Sequence, residues 1–241
     1  QKIEKKAFIF SSLESIEIPP RVTMICESAF QDCFRLRHVG IPKNSEIKVI
    51  EIKAFYQSGI IDFSIPFQLN VIEKDVFGNC SELKKIDIKE NSELRRIQRE
   101  AFNNTKINQL YIPSKFSEFE NGWCKELYKL NQIKISGKNK NFKIFENKYI
   151  IGKSPQNIEC QDEIKNTIEE YNVVIFSCRD IETAIIPDFI EIIAPYAFNC
   201  FNLKNVEISS NSKLRIIGNN AFSSSLINSI NIPSQVTYIC E

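Results

Sequence analysis

Residues 22–42, VTMICESAFQDCFRLRHVGIP, contain the pattern that decides the fold of this chain. Their apolar residues follow the template V-x-x-I-x-x-x-A-F, then five or six residues, then L-x-x-V-x-I-P. The same template recurs along most of the 241 residues. Such self-similarity predicts a solenoid, in which each unit can bury its apolar side only against its neighbours.

The repeats are 22 to 25 residues long, and about ten of them fit into the chain. The template positions Ile25, Ile50, Ile72, Ile97 and Phe119 are separated by 25, 22, 25 and 22 residues. This period is typical of leucine-rich repeats. We therefore expect a single repeat domain over residues 1–241, with an α/β leucine-rich-repeat solenoid fold. It would be a curved horseshoe, β-rich by content, of mostly short parallel strands with short helical turns.

The template gives each apolar residue a place in the repeat. In L-x-x-V-x-I the last apolar residues alternate, so Val39 and Ile41 point to one side of a strand while Gly40 points to the other. The proline that follows lacks an N–H and suits the corner where the chain leaves the sheet. The Ala-Phe pair is predicted to end a single tight helical turn, with its Phe filling the wedge between the two walls of the repeat.

An interruption of the template covers residues 136–164. Two short apolar runs, 142–145 and 149–151, flank a polar Glu-Asn-Lys turn, which predicts a β-hairpin inserted into the stack. The template then resumes, with Ile168 and Tyr171 at its Val and Ile positions.

Charge and hydropathy exclude several classes of protein. The 31 basic and 30 acidic residues give a net charge of +1, which offers no overall field for nucleic acid. No run approaches about 18 apolar residues, so this segment is not expected to insert into a membrane. The first residues lack the apolar stretch of a signal peptide. Both ends fall within a repeat and lack a polar cap, which predicts a piece of a longer protein.

The eight cysteines follow the repeat register rather than a disulfide framework. Cys33, Cys80, Cys178 and Cys200 lie two or three residues after the template Phe. We expect buried free thiols at these places. No metal site is predicted, because there is no C-x-x-C pair and His38 is the only imidazole.

Catalytic and cofactor-binding residue types are scarce. General acid–base or nucleophilic catalysis usually requires a histidine among convergent groups. Cys33 and His38 could form a Cys–His pair, but an ordinary surface imidazole explains His38 better. The seven glycines are scattered singly and form no phosphate cradle. The sequence therefore predicts no enzyme, no catalytic residues and no cofactor.

The exposed side of the predicted L-x-x-V-x-I strands is the best candidate site, since rigid backbone presents two rows of side chains there. The candidate protein-binding residues in these rows are His38, Asp62, Lys85, Asp87, Gln109, Tyr111, Lys134 and Glu207. Tyr111 is the one expected anchor. Because the rows lack an aromatic cluster or a single charge sign, a solvated sheet face without a ligand is the alternative.

The pattern resembles BspA-like leucine-rich repeats, whose unit is I-P-x-x-V-x-x-I-x-x-x-A-F-x-x-C-x-x-L-x-x-I-x-I. Residues 18–42, IPPRVTMICESAFQDCFRLRHVGIP, match this unit closely, and the likeness covers about four-fifths of the chain. The insert N-x-N-F-K-x-x-E-N-K-Y-I-I-G-K also looks like an interruption common in that family. The family's cysteine is kept in only some repeats, which argues against a structural role for it here.

Members of that family are typically surface or secreted proteins of bacteria and anaerobic protists, implicated in adhesion. The resemblance implies a non-enzymatic protein–protein interaction module, part of a cell-surface or secreted adhesin that binds a host or matrix protein. The alternative is an intracellular scaffold, cytoplasmic or cytoskeletal, that assembles a larger complex; free thiols and the missing signal favour it. Asn79-Cys80-Ser81 and Asn103-Asn104-Thr105 fit the N-glycosylation pattern, and glycans on Asn79 or Asn103 would support secretion. The identity of the ligand and the oligomeric state are left open.

Overall fold

A computed structural model describes residues 1–153 and 171–240. The chain forms two compact units, Gln1–Lys140 and Asn141–Glu241. The described residues contain twenty short strands joined by turns and no helix. Residues 154–164 of the predicted insertion, the template position Ile168 and one of the eight cysteines, Cys160, lie outside the described residues.

One row of strands in the first unit comes from the L-x-x-V-x-I segments, and we call these the ladder strands. They pair in parallel, with Val39 opposite Ile16 and Leu110 opposite Ile133. The ladder strands are β2 (Ser15–Glu17), β4 (His38–Gly40), β6 (Asp62–Ser64), β8 (Lys85–Asp87), β10 (Gln109–Ile112) and β12 (Gln132–Ile135).

The second row comes from the V-x-x-I segments. These strands are two residues long and also pair in parallel, with Ile25 opposite both Ile3 and Ile50. They are β1 (Lys2–Ile3), β3 (Met24–Ile25), β5 (Val49–Ile50), β7 (Val71–Ile72), β9 (Arg96–Ile97) and β11 (Glu118–Phe119). The predicted leucine-rich-repeat solenoid of short parallel strands is therefore confirmed.

The segment before the wedge Phe is not helical, contrary to the expected helical turn. In the repeat that starts at Val22, Ser28 and Asp32 both have φ of 56°. The N–H groups of Ser28 and Phe30 donate to the carbonyls of Ile52 and Ala54 in the next repeat. A helix would use those N–H groups within its own repeat. Consecutive β-turns leave every second N–H for the neighbouring repeat, at the cost of non-glycine residues in the left-handed region.

Phenylalanines fill wedge positions of the first unit, as predicted, and five of them, from Phe8 to Phe102, also form a continuous stack. Successive ring centroids lie 5.1 to 5.8 Å apart, with ring planes within 7° of parallel, a favourable aromatic separation. The rings after the first are fully buried. The stacked residues are Phe8, Phe30, Phe55, Phe77 and Phe102.

The third residue after each wedge Phe belongs to a second column, made of small hydrogen-bonding side chains. Sγ of Cys80 donates to the carbonyl of Phe55 over 3.0 Å, in the preceding repeat. Burial raises the pKa of Cys80 to about 12, so this thiol keeps its proton. The cysteine therefore has a structural role, contrary to the expectation, and serine or threonine replaces it in other repeats as another small donor. The column is Ser11, Cys33, Ser58, Cys80 and Thr105.

In the second unit a β-hairpin opens the main sheet. Strands β13 (Phe142–Phe145) and β14 (Tyr149–Gly152) pair antiparallel, and β14 also pairs antiparallel with β15 (Val173–Ser177). The sheet continues in parallel through β17 (Ile192–Ile193), β19 (Ile216–Ile217) and β20 (Tyr238–Ile239). Ladder strands β16 (Thr183–Ile186) and β18 (Asn205–Ile208) form a separate parallel pair.

The hairpin changes the template register that follows it. Val174 lies opposite Ile193 and therefore occupies the template Ile position, which the sequence pattern had given to Tyr171. The difference arises because β15 must pair with β14 on one side and with β17 on the other. Tyr149 of the hairpin is buried and lies edge-on to Phe198, with ring centroids 5.9 Å apart. This edge-on contact differs from the parallel stacking of the wedge rings in the first unit.

Replacing Phe102 by Ala should lower the free energy of unfolding by about 3–5 kcal/mol, since it removes a fully buried ring and leaves a cavity in the stack. Chemical denaturation measures this change. The control is Phe34→Ala, at a ring that is 59% exposed, which should change stability by less than about 0.5 kcal/mol. A loss below about 1 kcal/mol for Phe102→Ala would contradict the role of the stack.

Candidate functional site

The ladder strands present two rows of exposed side chains, because alternate residues of a strand point to opposite faces. In β6, Phe63 is 1% exposed, whereas Asp62 and Ser64 on either side of it are exposed. The first row of the first unit pairs Ser15 with His38, Asp62 with Lys85 and Gln109 with Gln132. The second row pairs Glu17 with Gly40, Ser64 with Asp87 and Tyr111 with Lys134.

Seven of the eight candidate residues lie on this face of the first unit, which we call the ladder face. Asp62 and Lys85 are register partners, as are Tyr111 and Lys134. Asp87 and Tyr111 are half-buried, and the side chains of His38, Lys85, Gln109 and Lys134 are exposed. Glu207 lies on the equivalent face of the second unit, opposite Ile185. The binding role of all eight residues remains a prediction.

Glycine at position 40 shapes the first part of the ladder face. The carboxylate of Glu17 lies directly above this glycine, and a Cβ added there would approach Glu17 Oε2 to 1.8 Å. Any other residue at position 40 would therefore displace Glu17. Glu17 is not among the candidate residues, because an alternating sequence pattern does not reveal that its side chain lies over a glycine of the next strand.

Charges on the ladder face are mixed in sign. Nζ of Lys89 lies 2.7 Å from Oδ2 of Asp87, and both side chains keep contact with solvent. Exposed pairs of this kind contribute little to stability. The face is therefore polar and varied, with Tyr111 as its one aromatic side chain among the strands of the first unit.

A column of acceptors on the turn edge was not found from the sequence. The residue after the template Ile or Phe accepts the N–H of a residue in the preceding repeat. Oε2 of Glu51 accepts from the N–H of Glu27 over 2.7 Å, and Oε1 of Gln98 accepts from Lys74 over 2.9 Å. The sequence signal was an acid or amide at one template position, shared by Glu51, Glu73, Gln98 and Glu120.

Glu73 is the member of this acceptor column whose pKa is raised. Partial burial raises the pKa of Glu73. The hydrogen bond that its carboxylate accepts from the N–H of Ile52 lowers this pKa, and repulsion from the carboxylate of Glu51 raises it. A perturbed carboxyl can mark a catalytic site. Here the causes are structural: partial burial of the carboxyl comes first, and the neighbouring carboxylate of Glu51 in the same column adds to it.

Cysteine and histidine do not combine into a chemical site in the described ranges. Cys33 is fully buried, and its Sγ donates to the carbonyl of Phe8 over 2.9 Å, while His38 stands on the exposed row. Across residues 1–153 and 171–240, no three His, Cys, Asp or Glu side chains form a group that could hold a metal ion. The thiols of Cys26, Cys33, Cys80, Cys178 and Cys200 are free.

The two sequons lie in the turns after wedge phenylalanines. Nδ2 of Asn79 donates to Oη of Tyr56 over 2.7 Å, and its Oδ1 accepts from Asn104 over 3.1 Å. The hydroxyl of Thr105 is buried and donates to the carbonyl of Phe102. A glycan on Asn79 would have to replace the bond to Tyr56, since it is attached through the same nitrogen. Use of Asn79 or Asn103 remains a prediction.

One known repeat family matches this chain along its length. The family model described as BspA type leucine rich repeat region matches residues 1–131 and 124–241, with 6 copies. A sequence comparison with curated proteins gave no match. In the described residues, no helix has the length and apolar character needed to cross a membrane.

Solved structures share the fold. The pneumococcal vaccine antigen PcpA is 22% identical with a TM-score of 0.82, over 98% of this chain and 56% of its own. A leucine rich cell surface protein from Faecalibacterium prausnitzii A2-165 is 22% identical with a TM-score of 0.66, over 99% of this chain and 72% of its own. A leucine-rich repeat protein from Eubacterium ventriosum ATCC 27560 is 19% identical with a TM-score of 0.59, over 99% of this chain and 53% of its own. The chain thus spans about half the length of two of these three proteins.

Replacing Glu73 by Gln should stabilise the protein by about 0.5 kcal/mol at pH 7, because the amide keeps an acceptor for Ile52 and removes a partly buried charge. The folded-state pKa of Glu73 is raised, so the wild-type protein loses stability as the pH rises from the unfolded pKa through the folded one. The advantage of Glu73→Gln should therefore appear above about pH 4.3 and disappear below it. Urea denaturation over a pH series measures it.

The matched control for this change is Glu73→Ala, which removes the acceptor and should destabilise the protein by about 1 kcal/mol at pH 7. An advantage of Glu73→Gln that did not vary with pH, or a loss of stability at pH 7, would show that the carboxylate charge is not the cause.

Proposed function

The chain belongs to the BspA-type leucine-rich repeat family, and from that premise we propose that it is a non-enzymatic protein-binding module of a cell-surface or secreted adhesin. Its ligand would be a host or matrix protein that lies across the ladder face. Glycosylation of Asn79 or Asn103, if it occurs, would agree with this location.

The observation that carries this proposal is the registered arrangement of exposed side chains on the ladder strands. Parallel pairing fixes Tyr111 beside Lys134 and Asp62 beside Lys85, on backbone that is itself bonded to the next repeat. A surface that is rigid before binding loses little conformational entropy on association. Tyr111 is the expected energetic centre, since tyrosine is enriched among the residues that dominate binding energy.

The fold supports a binding role more than a catalytic one. Leucine-rich-repeat solenoids are typically protein-interaction scaffolds, and their elongated stacks create extended binding surfaces. Two of the similar structures are a pneumococcal vaccine antigen and a cell surface protein. Those descriptions belong to those proteins, and their likeness of 22% identity concerns the fold. We extend the surface location to this chain as part of the proposal.

A second candidate is an intracellular scaffold that assembles a larger complex. The observation in its favour is a set of five free cysteines in the described residues, all of them buried: Cys26, Cys33, Cys80, Cys178 and Cys200. Free thiols persist most readily in reducing compartments. Antibody labelling of the source cells separates the two candidates: labelling of intact cells supports the adhesin, and labelling only after permeabilisation supports the scaffold.

Changing Tyr111 and Lys134 together to Ala should weaken binding to the matrix ligand at least about tenfold, since it removes the proposed anchor and its neighbour. The measurement is surface plasmon resonance against immobilised fibronectin, fibrinogen and collagen. The matched control changes Lys53 and Tyr56 together to Ala. This is another lysine–tyrosine pair, on the turn edge, in which Nζ of Lys53 lies 5.4 Å from the ring centroid of Tyr56. That control should stay within about twofold. No saturable binding to any of the three proteins, or equal losses in both variants, would contradict the proposal.

A further inference from the structure

The hairpin of the second unit carries three exposed lysines, Lys143, Lys148 and Lys153. None of them forms an ion pair with another residue in ranges 1–153 and 171–240. By contrast, Lys204 of the same unit is bonded to Glu182 over 3.0 Å. The hairpin lysines are therefore available to a charge from outside the described chain.

Two of these lysines share one aromatic ring. Nζ of Lys143 lies 4.1 Å from the ring centroid of Tyr171, and Nζ of Lys153 lies 5.9 Å from it. The two ammonium groups are thus no more than about 10 Å apart. Cation–π contact holds both side chains near one position, which lowers the entropy lost when a carboxylate binds between them.

An aromatic pair lies close to this lysine pair. Phe145 follows Lys143 by two residues in β13, so the two side chains point to the same face about 7 Å apart. The ring of Phe145 meets that of Phe189 edge-on, with centroids 5.4 Å apart, and Phe189 is 39% exposed. The same side of the hairpin therefore offers positive charge and partly exposed aromatic surface side by side.

We propose that this side of the hairpin is a docking surface for an acidic polypeptide segment of a partner protein. A carboxylate of the segment would bridge Lys143 and Lys153, and an adjacent apolar side chain would pack on Phe145 and Phe189. The inference deepens the proposed protein-binding function and rests on it, but it uses residues separate from the ladder face. Charge complementarity and adjacent aromatic surface favour a polypeptide over nucleic acid, because the whole chain has a net charge of only +1.

The test uses the full chain and a fluorescein-labelled peptide of six glutamates followed by Leu-Phe, read by fluorescence anisotropy at low salt. Changing Lys143 and Lys153 together to Gln should weaken binding about tenfold, because two charge contacts are lost. The charge-matched control is Lys148→Gln with Lys213→Gln, two other exposed lysines of the second unit, which should weaken binding less than about threefold. Tyr171→Leu should resemble the Lys143 and Lys153 variant, whereas Tyr171→Phe should keep the affinity.

Several results would overturn the inference. The first is that both lysine double variants weaken binding of the acidic peptide equally. The second is that the chain binds a peptide with six glutamines in place of the glutamates as tightly. The third is that it binds duplex DNA or phosphatidylserine vesicles more tightly than the acidic peptide. The Tyr111 and Lys134 variant serves as the separating arm. It should bind the acidic peptide normally, and the hairpin variants should bind immobilised matrix protein within about twofold of wild type. Failure of the hairpin surface and failure of the ladder face can thus be told apart.

Discussion

Backbone hydrogen bonds between consecutive repeats are the constraint on which the rest of this structure depends. Strands of two to five residues cannot satisfy their polar groups alone, and the turns between them also form backbone hydrogen bonds with neighbouring repeats. The N–H groups of each repeat therefore donate hydrogen bonds to carbonyls of the next repeat, as Phe30 does to Ala54 and Phe55 does to Val76. The wedge rings and the column of serine, cysteine and threonine are positioned by that backbone registry. Apolar burial stabilises the stack, and the hydrogen bonds determine how its layers align.

The same constraint gives the exposed rows of the ladder strands a fixed geometry. Because each ladder strand is fixed by its neighbours, the separation between side chains in successive repeats is set by the sheet and not by side-chain packing. Variation in the sequence of a row then changes chemistry without changing geometry. Gly40 shows how local exceptions arise, since its missing side chain allows Glu17 to cross the strand. The hairpin adds another kind of surface, on which two lysines and two aromatic rings lie close together.

The sequence predicted those parts of the structure that depend on side-chain periodicity. The strand rows, the wedge phenylalanines and the exposed strand positions all follow from which residues are apolar, and in the first unit they were placed correctly. Conformation was harder to predict, because positive φ at Ser28, Asp32 or Lys53 carries no glycine signal and a tight helical turn fits the same letters. Position 171 was misplaced because pairing with the hairpin, which is a long-range contact, decides which residue enters the sheet. The acceptor column and the lysine pair at Tyr171 depend on contacts between segments, so a repeat template alone does not reveal them.

The turn ladder also gives the turn edge an electrical direction. In the peptide group between Glu27 and Ser28, the carbonyl accepts from Lys6 of the preceding repeat, while the N–H donates to Ile52 of the following one. The peptide groups that end at Phe30 and Asp32 have the same orientation, with their N–H donating to Ala54 and Tyr56. Their dipoles therefore add along the stack, as they do in an α-helix, but with the positive end toward later repeats, whereas in a helix it lies toward the start of the chain. Each added repeat lengthens this array, so the two faces of a repeat layer differ in polarity even where their side chains are alike.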